Sequence, residues 1–182
     1  LPVEILVFSR NAEDTLRRHD VEQAVPVRDM TREEAKAAVA GLDVLVFGGG
    51  GILYDHEAEI YLREVILAQE LGVPVMVYAV SAGPLQTRTA RERVATAITQ
   101  AAVVTVRDRH GRRLLEDIGV HREVQLTADP ALLLEPEPLP EDALLREGMD
   151  SARRLVGFSV REPCPAAPEI DVDHYHALLA NA

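Results

Sequence analysis

Asp43-Val44-Leu45-Val46-Phe47 runs straight into Gly48-Gly49-Gly50-Gly51, and no other stretch limits the possible folds of this chain as strongly. A short, almost wholly apolar run suits a strand buried on both faces, as in a parallel sheet. Glycines at its end predict a turn whose bare backbone N–H groups can approach a ligand or form an anion nest; a tight, well-packed turn is the plainer alternative. The turn precedes a predicted helix, whose N-terminus favours anions. It is neither the G-x-G-x-x-G fingerprint nor a P-loop, since no Lys-Ser/Thr follows.

The rest of the chain repeats this strand-to-helix pattern. Residues 3–8 (VEILVF) read as a strand ended by Ser9-Arg10-Asn11, and Val25-Pro26-Val27 as a second, very short one. Thr31 with Glu34 three residues on forms a capping box, opening an alanine-rich helix that stops at Gly41. Helices are predicted over residues 56–71, 88–101 and 108–118, and strands over 75–80, 103–106 and 124–126. Strands alternating with helices require crossover connections. The fold class that follows is α/β, a Rossmann-like parallel sheet with helices on both faces.

After Leu134 the texture changes. Residues 135–140 (EPEPLP) are acidic and proline-rich, as in a linker. A short helix follows from Glu141, then a buried-type strand over 155–161 and the start of a helix over 174–180. One strand and part of a helix bury no core of their own. The expected organisation is a Rossmann-like domain over 1–134, a linker over 135–150, and the incomplete start of a second domain over 151–182.

Composition removes several functional classes. A formal charge of -11 repels a phosphate backbone, and an aromatic fraction of 4% without Trp offers little for base stacking, so no nucleic-acid partner is expected. The one cysteine, Cys164, excludes a disulfide framework and reads as a plain loop thiol. His174-x-His176 beside Asp171 and Asp173 hints at a metal, but that spacing puts the rings on different helix faces, so no metal site is expected. No apolar run approaches the ~20 residues of a membrane span. The expected location is the cytoplasm, with at most peripheral contact at the inner membrane face.

In an open parallel sheet, ligands bind at the carboxyl ends of strands. The loops over 48–55, 81–87, 107–110 and 127–130 share that position. Ser81-Ala82-Gly83-Pro84 carries a weak signal on its own. Arg107 can fork onto a carboxylate or phosphate, or tie its loop to a helix through a salt bridge. Asp108 suits a helix cap, and Asp129-Pro130 a cap or turn.

In order along the chain, DVLVFGGGGILYD (43–55), SAGPL (81–85), VTVRD (104–108), Leu114-Leu115 with Ile118-Gly119, LTADPAL (126–132) and VGFSVR (156–161) resemble the polysaccharide pyruvyltransferase family, particularly its bacterial cell-wall members. The resemblance implies one half of a GT-B-like two-domain fold with the active site in the cleft between halves. It also implies transfer of pyruvate from phosphoenolpyruvate to two hydroxyls of a sugar in a cell-surface polysaccharide precursor, leaving a ketal and free phosphate. The partners implied are phosphoenolpyruvate and a lipid-linked glycan acceptor, with no further cofactor. Arg107 matches the family's strand-end V-R-D arginine and is the implied catalytic, donor-binding residue. Gly48, Gly49, Gly50, Gly51, Ser81, Ala82, Gly83, Asp108 and Asp129 are implied to line the cleft, with Arg161 facing it from the second half.

The family pattern also includes an earlier strand with a Gly-Asp-Glu loop, and histidine and basic residues in the second half. These are expected outside this stretch, which by itself is expected to be inactive. Two other readings remain open: a GT-B glycosyltransferase using a nucleotide sugar, and a non-catalytic domain of the same fold.

Overall fold

A computed structural model of the chain describes residues 2–55, 57–138, 140, 142–149, 154, 156–163, 167 and 169–181. Its strands are β1 (Leu6–Ser9), β2 (Gln23–Pro26), β3 (Leu45–Leu53), β4 (Val75–Ala82), β5 (Val103–Val106) and β6 (Gln125–Leu126). Its helices are α1 (Ala12–Arg18), α2 (Arg32–Ala40), α3 (Ala58–Glu70), α4 (Arg88–Thr99), α5 (Arg109–Asp117), α6 (Ala143–Arg146) and α7 (Val172–Ala180), with a 3-10 turn at Pro130–Leu133. All strand pairs are parallel: β1 with β2 in one sheet, and β3-β4-β5-β6 in sequence order in a four-stranded one. The Rossmann-like α/β class expected from the strand-helix alternation is what the chain adopts, as parallel sheets flanked by helices.

The capping residues explain where the helices begin. Thr31 and Glu34 complete the capping box reciprocally, the Thr31 amide donating to Glu34 Oε2 at 2.8 Å and the Glu34 amide to Thr31 Oγ1 at 3.3 Å. Asn11, Thr87, Asp108 and Asp171 cap α1, α4, α5 and α7 more simply, each side chain accepting one first-turn amide. Helix α1 was not anticipated from the sequence. It buries no residue, so it lacks an apolar stripe; its Asn11 cap, acidic first turn and basic last turn match the helix dipole instead.

The core lies on one face of the larger sheet. Leu45 and Phe47 of β3, Val75 and Val77 of β4, and Val104 and Val106 of β5 pack with Val39 of α2, Leu62 and Val65 of α3, Val94 and Ile98 of α4, and Leu115 of α5. The opposite face is open: Val46 is 56% exposed and Tyr78 39%. Strand β3 is therefore not buried on both faces as its apolar run suggested: among the described residues its core contacts with the helices lie on the side of Leu45 and Phe47. The expected strand over 155–161 also does not form among the described residues. Residues 156–161 are unpaired and Phe158 is 71% exposed, since an isolated apolar alternation gains nothing without a ladder to join.

The glycine run corrects the sequence reading most. Gly48 to Gly51 do not form a turn beyond the strand; they are part of β3, aligned with Tyr78, Val80 and Ser81 of β4. Gly49 and Gly50 take φ of 90° and 87°, outside the range of ordinary strand residues. A Cβ on Gly48 would sit 2.6 Å from the Tyr78 carbonyl oxygen, so only glycine allows this approach of β3 to β4. β4 is irregular at the same level. Ala79 has φ of 48°, and the pairing with β5 shifts register between Val77 and Val80. The buried Ala79 amide leaves the ladder and donates to Thr105 Oγ1 at 2.8 Å, while the Thr105 hydroxyl donates to the Val77 carbonyl at 3.3 Å.

Thr105 is thus the group that makes the β4 irregularity tolerable. Thr105→Val keeps the shape but strands the Ala79 N–H, which should cost about 1–3 kcal/mol in a urea unfolding titration. A change below ~0.5 kcal/mol, the size typical of a surface substitution, would show that the kink needs no side-chain acceptor.

Candidate functional site

The larger sheet brings the exits of β3, β4, β5 and β6 to one carboxyl edge, where parallel sheets bind ligands. Gly48 to Gly51 lie in β3, the edge strand of that sheet. In a parallel ladder only alternate N–H groups turn toward the one neighbour, so part of the glycine backbone faces the open edge. Among the described residues nothing lies within 4 Å of where a Cβ on Gly51 would be, and Gly51 has no left-handed φ. Neither packing nor conformation requires glycine there, which leaves access to the backbone as the physical consequence.

Ser81 and Ala82 close β4, and Gly83 follows them. Asp108 Oδ1 accepts the Gly111 amide at 2.6 Å as the cap of α5. A Cβ on Gly111 would lie 3.0 Å from the Ala82 amide nitrogen, so the first turn of α5 presses directly on the end of β4. Burial raises the Asp108 carboxyl, but the Gly111 amide, the Ser81 hydroxyl and the nearby Arg107 and His110 outweigh it, and the net shift is downward.

Arg107 leaves β5 beside this group. Its backbone N–H donates to the Val80 carbonyl at 3.1 Å, and its guanidinium donates from NH1 to Asp129 Oδ2 at 2.5 Å. The Arg107 side chain is 30% exposed and a guanidinium carries five donors, so the pair orients Arg107 while keeping it reachable. Asp129 also accepts the Ala131 amide at 3.0 Å, capping the 3-10 turn. The Ala131 amide holds the Asp129 carboxyl below its ordinary range; burial opposes it, and the Arg107 guanidinium adds to the lowering. The structural reading of both residues is what forms: the ion pair ties the Arg107 loop to the 3-10 turn that Asp129 caps.

Arg161 is not brought into this group. Its carbonyl accepts the Tyr175 hydroxyl of α7 at 2.7 Å, and among the described residues no hydrogen bond or ion pair joins it to the loops around Arg107. Three residues at the edge were missed in the sequence. Arg10, directly after β1, donates to the Tyr61 hydroxyl at 2.7 Å and pairs with Glu57 at 3.4 Å at the start of α3. His110 places its ring beside Gly83, and Asp55 bonds the β4–α4 loop. Arg10 shares the position of Arg107 directly after a strand, which is the signal that would have found it; His110 sits in the first turn of α5. Nothing local distinguishes Asp55.

The family model described as polysaccharide pyruvyl transferase matches residues 3–180. The chain belongs to the polysaccharide pyruvyl transferase family. Among curated proteins none matches it, and none of the solved structures does. Family membership makes this a transferase-family chain whose chemistry is pyruvyl transfer to a polysaccharide. Among the described residues no helix is long and apolar enough to cross a membrane.

Both carboxylates of the site are held ionised, which gives a signed pH prediction. A carboxyl with a lowered folded value stabilises the fold fully above its unfolded value of about 3.9, and loses that contribution as pH falls through the folded value. The urea midpoint should therefore fall as pH drops below ~4. Asp108→Asn should flatten that acid limb, whereas an identical limb in the variant would show that Asp108 has no part in it.

Proposed function

We propose that this cleft edge binds phosphoenolpyruvate and supports transfer of its pyruvate to a sugar of a cell-surface polysaccharide precursor. The observation that carries the reading is the partly exposed Arg107, oriented by Asp129 at the carboxyl end of the sheet that also holds the side-chain-free backbone of β3. Phosphoenolpyruvate is a small polyanion carrying a carboxylate and a phosphate. A planar guanidinium matches either group in a forked pair, and backbone amides match the developing charge without a metal ion.

In this reading the donor's methylene carbon takes a proton and its C2 accepts a sugar hydroxyl oxygen. Phosphate then leaves, and a second hydroxyl of the same sugar closes the ketal. Arg107 holds the donor and offsets its charge; Gly48 to Gly51, Ser81, Ala82 and Gly83 form the wall; Asp108 and Asp129 keep Arg107 and the β4 loop in place. The opposite wall comes from a second Rossmann-like half, in GT-B fashion, on whose side Arg161 belongs. The acceptor is a lipid-linked glycan presented at the cytoplasmic face of the membrane.

The test is transfer from isotope-labelled phosphoenolpyruvate to membrane-extracted glycan by the intact protein. Arg107→Ala should lower kcat/KM by about 30- to 1000-fold, the worth of roughly 2–4 kcal/mol for one charge-assisted donor. Transfer from a nucleotide sugar with none from phosphoenolpyruvate would replace this reading with a glycosyltransferase. Gly51→Ala separates access from stability: its methyl meets open space, so the urea midpoint should hold while transfer declines. Unchanged transfer in that variant would remove the β3 edge from the donor site.

A further inference from the structure

Asp55 lies just past the end of β3, and its carboxylate reaches across to the loop between β4 and α4. Oδ2 accepts the Gln86 amide at 2.7 Å, and Oδ1 accepts both the Thr87 amide at 3.0 Å and the Thr87 hydroxyl at 2.9 Å. Two backbone bonds run beside these: the Gly83 amide donates to the Leu53 carbonyl at 2.8 Å, and the Asp55 amide to the Pro84 carbonyl at 3.1 Å. The Thr87 hydroxyl, its proton directed at Asp55, is left with its lone pairs toward α4 and accepts the Ala90 amide at 3.3 Å.

Capping α4 requires only Thr87, which is local to that helix. A carboxylate supplied from residue 55 does something a local cap cannot: it joins two loops of the cleft edge. Placing a negative charge at the start of α4 is also favourable to the helix dipole, and ionised acceptors make stronger bonds than neutral ones. On its other side the same β4 loop abuts α5. A Cβ on Gly83 would lie 2.9 Å from Leu114 Cδ2 and 3.4 Å from His110 Nε2. A Cβ on Gly111 of α5 would lie 3.0 Å from the Ala82 nitrogen and 3.6 Å from Ser81 Cα. The stretch from Ser81 to Thr87 is therefore held from the β3 side by Asp55 and packed from the α5 side by Gly111, Leu114 and His110.

We propose that Asp55 is a positioning residue for the transfer reaction. Through the β4 loop it sets the spacing between the glycine edge of β3 and Arg107, and it does not itself touch the donor. This rests on the reading of the cleft as a phosphoenolpyruvate site. Asp55 holds both the loop amides and the Thr87 hydroxyl, so loss of the carboxylate releases the loop and leaves the Thr87 cap of α4 without its anchor.

The experiment compares Asp55→Ala and Asp55→Asn with the parent in the intact protein, reading amide hydrogen exchange at Gln86, Thr87 and Ala90 together with kcat and KM for labelled phosphoenolpyruvate. In Asp55→Ala these amides should exchange about tenfold faster or more, while those of β5 remain protected. The accompanying fall in kcat should be about tenfold or more, with a smaller change in KM, as misplacement of a bound donor requires. Asp55→Asn keeps one acceptor oxygen but turns an NH2 toward a donor, so it should fall between the other two, and it supplies the answer if the alanine variant does not fold. Unchanged exchange at Gln86 and Thr87 would overturn the proposal, as would faster exchange with parental kcat and KM. If the parent transfers nothing from phosphoenolpyruvate, the functional reading fails and the role in transfer fails with it; the exchange data still decide whether Asp55 holds the loop.

Discussion

The close approach of β3 to β4 at Gly48 is the constraint on which the rest of the molecule depends. A side chain there would collide with the Tyr78 carbonyl, and β3 and β4 could not run side by side to their carboxyl ends. Immediately beyond, Gly49, Gly50 and Ala79 all leave ordinary strand geometry at one level of the sheet. The cost falls on Ala79, a buried residue with a Cβ in a left-handed conformation, of order 1–2 kcal/mol. Thr105 offsets part of it by accepting the amide that the kink removes from the ladder. Strain of this kind persists where the surrounding structure over-determines it, and here it lies just before the strand exits that carry the polar groups.

The electrostatics of the edge follow from that placement. The chain as a whole carries a formal charge of -11, yet the site presents a guanidinium at its surface. Asp129 pairs with it through Oδ2 while its Oδ1 accepts the Ala131 amide, and the Asp108 carboxylate accepts the Gly111 amide. These amides serve as caps of the turn and helix that follow. Helix capping, ion pairing and orientation of Arg107 are therefore a single hydrogen-bonded chain running from the Ala131 amide through Asp129 to the guanidinium.

Much of this was legible in the residues. Apolar runs ending in glycine, serine or aspartate gave the strands, and Thr31-Glu34 and Asp108 gave helix starts that the structure repeats. Helix α1 escaped because it buries nothing, so periodicity had no signal to carry. The glycine run was misread as a turn because composition favours turns, whereas pairing with β4 draws it into the strand. Val46 was misread as buried for a related reason: a run without polar interruption does not reveal that, among the described residues, helices cover only one face. Residues 156–161 show the reverse case, strand-like in pattern but without a neighbour to pair with among the described residues.

By itself the sequence determined most of the strand-helix alternation, the Thr31 and Asp108 caps and the presence of an anion-suited arginine at a strand end, since each depends on neighbours a few positions away. The tertiary structure alone decided which strand-end loops meet. Arg107 with Asp129, Asp55 with Thr87 and Ala79 with Thr105 are contacts between residues more than twenty positions apart, made only once parallel pairing has aligned the strand exits. Local chemistry chooses what each segment becomes; the ladder's register chooses which segments share a surface, and only the latter turns separate loops into a site.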